Sequence, residues 1–197
     1  HLMLAQWALD ALSLDEVWLI PTGMSYMKAS RQILPGEERL RMVQLAVMDN
    51  DRFRCLDLEV RRSGYTYSYE TLEELRSRYP EDAFYFILGA DCLFALEDWK
   101  APERILSCCT LVAAVRGETD LTEMEAKRKE LMQKFRPERE IILLPFISMS
   151  LSSTEIRERI RNGKSVRYLV PDRVLEYIRE KGFYLYEENE SFKSEEA

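Results

Sequence analysis

The chain has 197 residues, 46% hydrophobic and 32% charged, the balance of an ordinary globular protein long enough for one sizeable core. Its net charge of −7, from 35 acidic and 28 basic residues, argues against non-specific binding to nucleic acid or to an anionic membrane surface, while leaving room for a local basic pocket. Cys55, Cys92, Cys108 and Cys109 form no C-x-x-C pair, and with one histidine they exclude a usual zinc site. No apolar run approaches the ~18 residues of a membrane span, nothing resembles a signal peptide, and reduced thiols in a cytoplasmic protein are expected.

In chain order, His1 to Leu12 reads as a helix, with Ala5, Ala8, Leu9 and Leu12 on one stripe. Glu16 to Ile20 is a short apolar strand stopped by Pro21-Thr22-Gly23. Residues 21 to 36 lack periodicity and are expected to form a long, functional loop. A helix over Glu37 to Asp49 and a strand over Phe53 to Val60 follow, then a turn at Arg61-Arg62-Ser63-Gly64. Tyr67 to Tyr79 is helical, and Ala83 to Leu88 is a nearly continuous apolar strand. Gly89-Ala90-Asp91 turns the chain into a helix through Leu96, with Trp99 on the loop beyond and a short helix over Pro102 to Ser107.

The buried strand Thr110 to Val115 ends at Arg116-Gly117, Leu121 to Phe135 is a charged peripheral helix, and Ile141 to Leu144 is a strand. Ser152-Ser153-Thr154-Glu155 then opens a helix, and Asp172 to Lys181 forms the last one, with Val174, Leu175 and Ile178 inward. Phe183 to Tyr186 closes the fold. Residues 1–186 are therefore expected to form one domain, and residues 187–197 an acidic, disordered tail. Apolar strands alternating with helices predict an α/β fold with a doubly wound parallel sheet.

In such sheets ligands bind beyond the carboxyl ends of the strands, and that edge gathers the polar residues of interest. Ser152 with Glu155 fits a capping box, and Ser153, Thr154 and the remaining first-turn amides stand at the positive end of a helix where an anion is favoured. A plain capped surface helix accounts for the same residues, with Arg157 solvated. Asp91 either caps its helix or accepts from ribose hydroxyls. Trp99 is either a half-buried core residue or a plate for an aromatic base. Arg116 is either a solvated strand end or a phosphate ligand, and Tyr67 and Ser68 open a helix where hydroxyls usually cap. Arginines, hydroxyls and helix N-termini without a nucleophile–base pair point to phosphoryl or nucleotidyl transfer, in which positioning and charge neutralisation do most of the catalysis.

These residues resemble the motifs of the bacterial nicotinate mononucleotide adenylyltransferases, in the nucleotidyltransferase superfamily with the H-x-G-H signature. His1-Leu2 is similar to the end of G-G-T-F-D-P-x-H-x-G-H-L, and Arg39 with Met42 to the helix after the first long loop. Arg62, Gly64 and Thr66-Tyr67-Ser68, with Thr71, resemble R-x-G-x-S-Y-T-x-D-T. Ile87-Leu-Gly-Ala-Asp91 resembles I-I-G-x-D, Trp99 the family's tryptophan, and Leu151-Ser-Ser-Thr-Glu-Ile-Arg157 the segment I-S-S-T-x-I-R. The likeness covers His1 to about Tyr186 and implies a Rossmann-like nucleotidyltransferase fold.

The resemblance implies transfer of AMP from ATP to nicotinate mononucleotide, giving deamido-NAD and pyrophosphate, with Mg²⁺ accompanying ATP and no metal site of the protein's own. His1 and Arg157 would be catalytic. Ser152, Ser153, Thr154, Arg116, Lys28 and Arg39 would contact ATP or its phosphates, and Tyr67, Ser68, Asp91 and Trp99 the nicotinate nucleotide. Where the family has P-P-H-K, this chain has Ser25-Tyr26-Met27-Lys28, so only the lysine is shared. The family's first strand and Gly-Gly-Thr-Phe loop have no counterpart here, and about 20 further upstream residues are expected in the physical protein. Other expected readings are an adenylyltransferase for nicotinamide mononucleotide or phosphopantetheine, or a nucleotide-binding remnant. Partners are expected to be small molecules, with no nucleic acid and no membrane, and the protein a monomer or homodimer.

Overall fold

Short parallel strands joined by helices make the frame of the chain. The computed structural model describes residues 1–25, 33–115, 118–146 and 151–185. It begins with α1 (Leu2–Ala11), β1 (Val17–Leu19), β2 (Met24–Ser25), α2 (Gly36–Val47), β3 (Phe53–Cys55), β4 (Tyr65–Thr66) and α3 (Ser68–Arg78). There follow β5 (Tyr85–Gly89), α4 (Ala90–Phe94), a 3-10 turn at Leu96–Asp98, α5 (Pro102–Cys108), β6 (Thr110–Val115), α6 (Glu118–Phe135) and β7 (Ile141–Pro145). Two further helices, α7 (Ser153–Arg161) and α8 (Asp172–Lys181), belong to a second compact unit, Met149–Ala197, separate from His1–Ser148. Among the described residues no helix is long and apolar enough to cross a membrane.

Among the described residues every strand pair is parallel, as expected for a chain whose strands alternate with crossover helices. β5, β6 and β7 form one ladder, in which Gly89 stands opposite Ala114 and Ala114 opposite Leu144, so their carboxyl ends line up. β1 pairs with β3, and the two-residue β2 with β4. Among the described residues the pairing thus falls into three ladders rather than one continuous sheet. Side chains join the two main ladders instead. The Trp18 ring of β1 meets Tyr79 at 5.0 Å and Phe84, just before β5, at 6.0 Å, both edge to face.

Helix α1 packs on both ladders because small and apolar residues occupy two adjacent stripes. Ala5 and Leu9 lie in a cluster with Val17, Val47 and Phe53, whereas Ala8 lies with Val112 and Leu144. Trp7 Nε1 donates to the carbonyl of Pro145 at 2.8 Å, which brings the middle of α1 to the carboxyl end of β7. The main core fills the space between β5–β7 and α3 to α6, around the fully buried Leu93, Leu96, Met124 and Leu131.

Several elements end sooner than their apolar patterns suggest. The strand expected to run to Val60 stops at Cys55, because local bonds curl the chain: the Arg61 amide donates to Asp57 and the Arg62 amide to Glu59. The helix expected to reach Leu96 stops at Phe94 and tightens into the 3-10 turn, while α6 begins at Glu118 rather than Leu121. Helix α8 buries Val174, Leu175 and Ile178 as expected. It ends at Gly182, whose φ of 66° suits a residue without a side chain. There the Gly182 amide donates to Arg179 and the Phe183 amide to Ile178. Tyr186 and the acidic tail lie outside the described residues.

Candidate active site

In the second unit, α7 presents the hydroxyl-rich N-terminus. Ser152 is its N-cap, and its Oγ accepts from the Glu155 amide at 3.0 Å. Among the described residues the Glu155 carboxylate makes no bond back to Ser152, so the capping box is half formed. The Ile156 amide goes to the Ser152 carbonyl, which leaves the Ser153 and Thr154 amides as the first-turn donors that an α-helix cannot satisfy internally. Ser153 and Thr154 are exposed, and Arg157 Nη2 donates to Thr154 Oγ1 at 3.1 Å. A half-buried guanidinium, two exposed hydroxyls and two outward amides at a helix's positive end make an anion-accepting surface.

In the first unit, Gly89 closes β5 and is itself the N-cap of α4, with extended backbone angles of −84° and 169°. Asp91 therefore stands inside the first turn, exposed, rather than at the capping position. Beyond α4, Trp99 is half-buried against the core and meets Phe86 edge to face at 6.2 Å. Its indole Nε1 is buried with no hydrogen-bond partner among the described residues, as is the hydroxyl of Thr66. The turn after Trp99 is held by Ala101 in the left-handed region (φ 52°), with Pro102 opening α5.

Tyr67 is the N-cap of α3 and its ring stacks on Tyr69 at 5.8 Å, while Ser68 is the first helical residue. His1 is the exposed N-cap of α1, and its carbonyl accepts from the Ala5 amide at 2.8 Å. Arg39 on α2 faces backbone carbonyls: Nε donates to Leu34 at 3.0 Å, Nη2 to Gly23 at 3.2 Å, and Nη1 to Thr22. The residue proposed for phosphate contact thus braces the loop on both sides. Lys28 and Arg116 lie outside the described residues.

Nucleophilic catalysis finds no support in the thiols. Burial, with Asp57 nearby, pushes the Cys55 thiol up to about 11, and burial beside Cys108 pushes Cys109 up to about 12. Among the described residues no group of three or more His, Cys, Asp or Glu side chains stands ready for a metal ion. The sequence reading did not find the two-residue ladder of β2 and β4, nor the buried Glu59 that Thr71 contacts at 2.9 Å.

Residues 1–159 match the cytidylyltransferase-like family. The parallel α/β frame is thus that of a nucleotidyltransferase class. A Lachnoclostridium phytofermentans protein named "Probable nicotinate-nucleotide adenylyltransferase" is 38% identical over 185 residues, 94% of this chain and 92% of the relative. A Dehalococcoides mccartyi protein of the same name is 43% identical over 188 residues, 93% of this chain and 89% of the relative. The fold is shared with the Plasmodium falciparum nicotinic acid mononucleotide adenylyltransferase solved with NaAD, at a TM-score of 0.68 and 18% identity over 92% of this chain and 90% of that one. The chain belongs to the cytidylyltransferase-like family and, within it, to the nicotinate-nucleotide adenylyltransferases.

Proposed function

We infer that the protein transfers AMP from ATP to nicotinate mononucleotide. An oxygen of the mononucleotide's 5′-phosphate attacks the α-phosphorus of ATP in line, the bond from that phosphorus to the bridging oxygen breaks, and pyrophosphate leaves as deamido-NAD forms. The observation that carries this reading is identity of 38–43% to two such enzymes over nearly the whole chain. The α7 N-terminus supports it chemically, because a triphosphate is the kind of anion that helix amides, hydroxyls and an arginine hold together.

In this reading Ser152, Ser153 and Thr154 bind the ATP phosphates, with Arg116 and Lys28 adding charge and Arg39 shaping the loop that reaches them. His1 and Arg157 neutralise charge that develops at the α-phosphorus, worth typically a hundredfold or more in rate for one well-placed donor. Mg²⁺ enters on ATP, as part of the substrate, and its positive charge offsets the phosphates. Trp99 stacks on the pyridine ring, Tyr67 and Ser68 meet its carboxylate, and Asp91 accepts from a ribose hydroxyl. Residues 1–186 act as one nucleotidyltransferase domain.

The test is Mg²⁺-dependent pyrophosphate release from ATP with nicotinate mononucleotide, beside nicotinamide mononucleotide and phosphopantetheine. Release is expected to be fastest with the nicotinate form. Equal release with the nicotinamide form would remove the acid preference, and release only with phosphopantetheine would overturn the assignment. ATP binding without release from any acceptor would leave a nucleotide-binding protein.

A further inference from the structure

The turn between β3 and β4 carries a buried carboxylate. Glu59 is only 9% exposed, and Thr71 on α3, 5% exposed, donates its hydroxyl hydrogen to Glu59 Oε1 at 2.9 Å. A hydroxyl has one hydrogen to give, so the longer 3.5 Å approach of Thr71 Oγ1 to the Tyr67 carbonyl is the lesser contact. The lone pairs of the same oxygen accept from Arg62 Nη1 at 3.1 Å. Arg62 Nη2 donates to Glu74 Oε2 at 2.6 Å, and Glu70 Oε2 lies 3.7 Å from Nη1. Glu59, Thr71, Arg62 and Glu74 thus form a chain of bonds in which each donor meets an acceptor, tying the turn to the first two turns of α3.

The backbone of that turn also presses on the loop after β1. A β-carbon built on Gly23 would lie 2.2 Å from the Glu59 carbonyl oxygen and 2.7 Å from Thr66 Cγ2, so only glycine fits there. Arg39 holds the same segment through the Thr22 and Gly23 carbonyls. Displacing Glu59 therefore moves two things at once: the close approach of Gly23 to Thr66 just before the β2–β4 ladder, and the start of α3 where Tyr67 and Ser68 stand.

We propose that Arg62 and Thr71 are positioning residues for the acceptor nucleotide, acting through buried Glu59 to hold the Tyr67–Ser68 entry of α3 and the Gly23 segment before β2 in place. The proposal rests on the acceptor-side roles of Tyr67 and Ser68 given above. Neither residue touches substrate. Their removal is expected to loosen recognition of the pyridine nucleotide while the phosphate-binding α7, which lies in the other unit, keeps its own caps.

The test is steady-state kinetics of the full chain with Thr71→Val, Thr71→Ser and Arg62→Met, at temperatures well below each variant's Tm. Thr71→Val leaves Glu59 buried without its donor and is expected to raise KM for nicotinate mononucleotide about tenfold, with KM for ATP moving less than about twofold. Thr71→Ser restores the hydroxyl and is expected to restore the wild-type KM ratio. Arg62→Met gives the second reading should Thr71→Val fail to fold, and it is expected to shift the same KM in the same direction. A wild-type acceptor KM in both Arg62→Met and folded Thr71→Val would overturn the proposal, as would equal rises in both KM values that Thr71→Ser fails to restore. Failure of the functional reading looks different: the wild-type protein itself would not turn over nicotinate mononucleotide, and the proposal would fall with it.

Discussion

Trp99 combines a ring packed in the core with a polar atom left unsatisfied. Its ring packs on Phe86, yet its indole nitrogen is buried with no partner among the described residues, which costs stability. Trp99→Phe removes that unpaired donor together with some packing area. The two effects oppose each other, and the variant is expected to melt within about 1 kcal/mol of the wild type. Trp99→Ala loses the stacking plate and is expected to raise KM for nicotinate mononucleotide, most visibly against an unchanged KM for ATP. A wild-type acceptor KM in Trp99→Ala would remove Trp99 from the acceptor site. At this scale the sequence showed where residues stand in the elements better than what they touch. Asp91 and Ser152 could be read from their places beside a glycine turn and a helix start. The carbonyl partners of Arg39 could not, because Thr22 and Gly23 stand 17 and 16 positions before it in the chain.

At the scale of elements, α6 is fastened to the 3-10 turn just before Trp99 by charge. Glu97 takes bonds from Lys127 and from Lys134, and these two cations hold its carboxyl down at about 2, well under the ordinary 4.5. The folded protein therefore keeps Glu97 ionised where the unfolded chain has already taken up the proton. Its contribution is fully present above about 4.5 and disappears as the pH falls toward about 2. Other carboxylates add to acid unfolding, so the informative quantity is a difference. Glu97→Gln is expected to lower Tm at neutral pH and to converge with the wild type as the pH approaches 2. Parallel Tm curves across that range would show that the clasp does not stabilise the fold. The charge pattern marked this helix as peripheral, yet it buries Met124 and Leu131 in the main core, and neither that burial nor its fastening to the turn beside Trp99 was legible in the sequence.

For the whole molecule, an overall charge of −7 disfavours anionic substrates at long range, so the proposed triphosphate binding would rest on local donors such as those of α7. A ligand that binds only the folded state stabilises it by mass action, by about 2.7 kcal/mol at a hundred times its Kd. MgATP is therefore expected to raise Tm in a concentration-dependent way. Arg157→Ala is expected to weaken that shift at a given MgATP concentration, and Ser152→Ala to weaken it further while also costing about 1 kcal/mol through the lost cap. A full MgATP shift in both variants would place triphosphate binding elsewhere.

The sequence by itself determined the alternation of strands and helices, the parallel α/β class, the family motifs and the cap that opens α7. These are written in short-range periods, in glycine turns and in side chains that bond three residues away. Tertiary structure alone decided that β3 ends at Cys55, that β2 and β4 pair, that Trp18 joins two ladders by aromatic packing, and that Glu59 is buried against Thr71. Each of those outcomes depends on a partner distant in the chain. Whether a backbone amide extends a ladder or closes a turn, and whether a guanidinium meets a carbonyl or a carboxylate, is settled only when folding brings the two together.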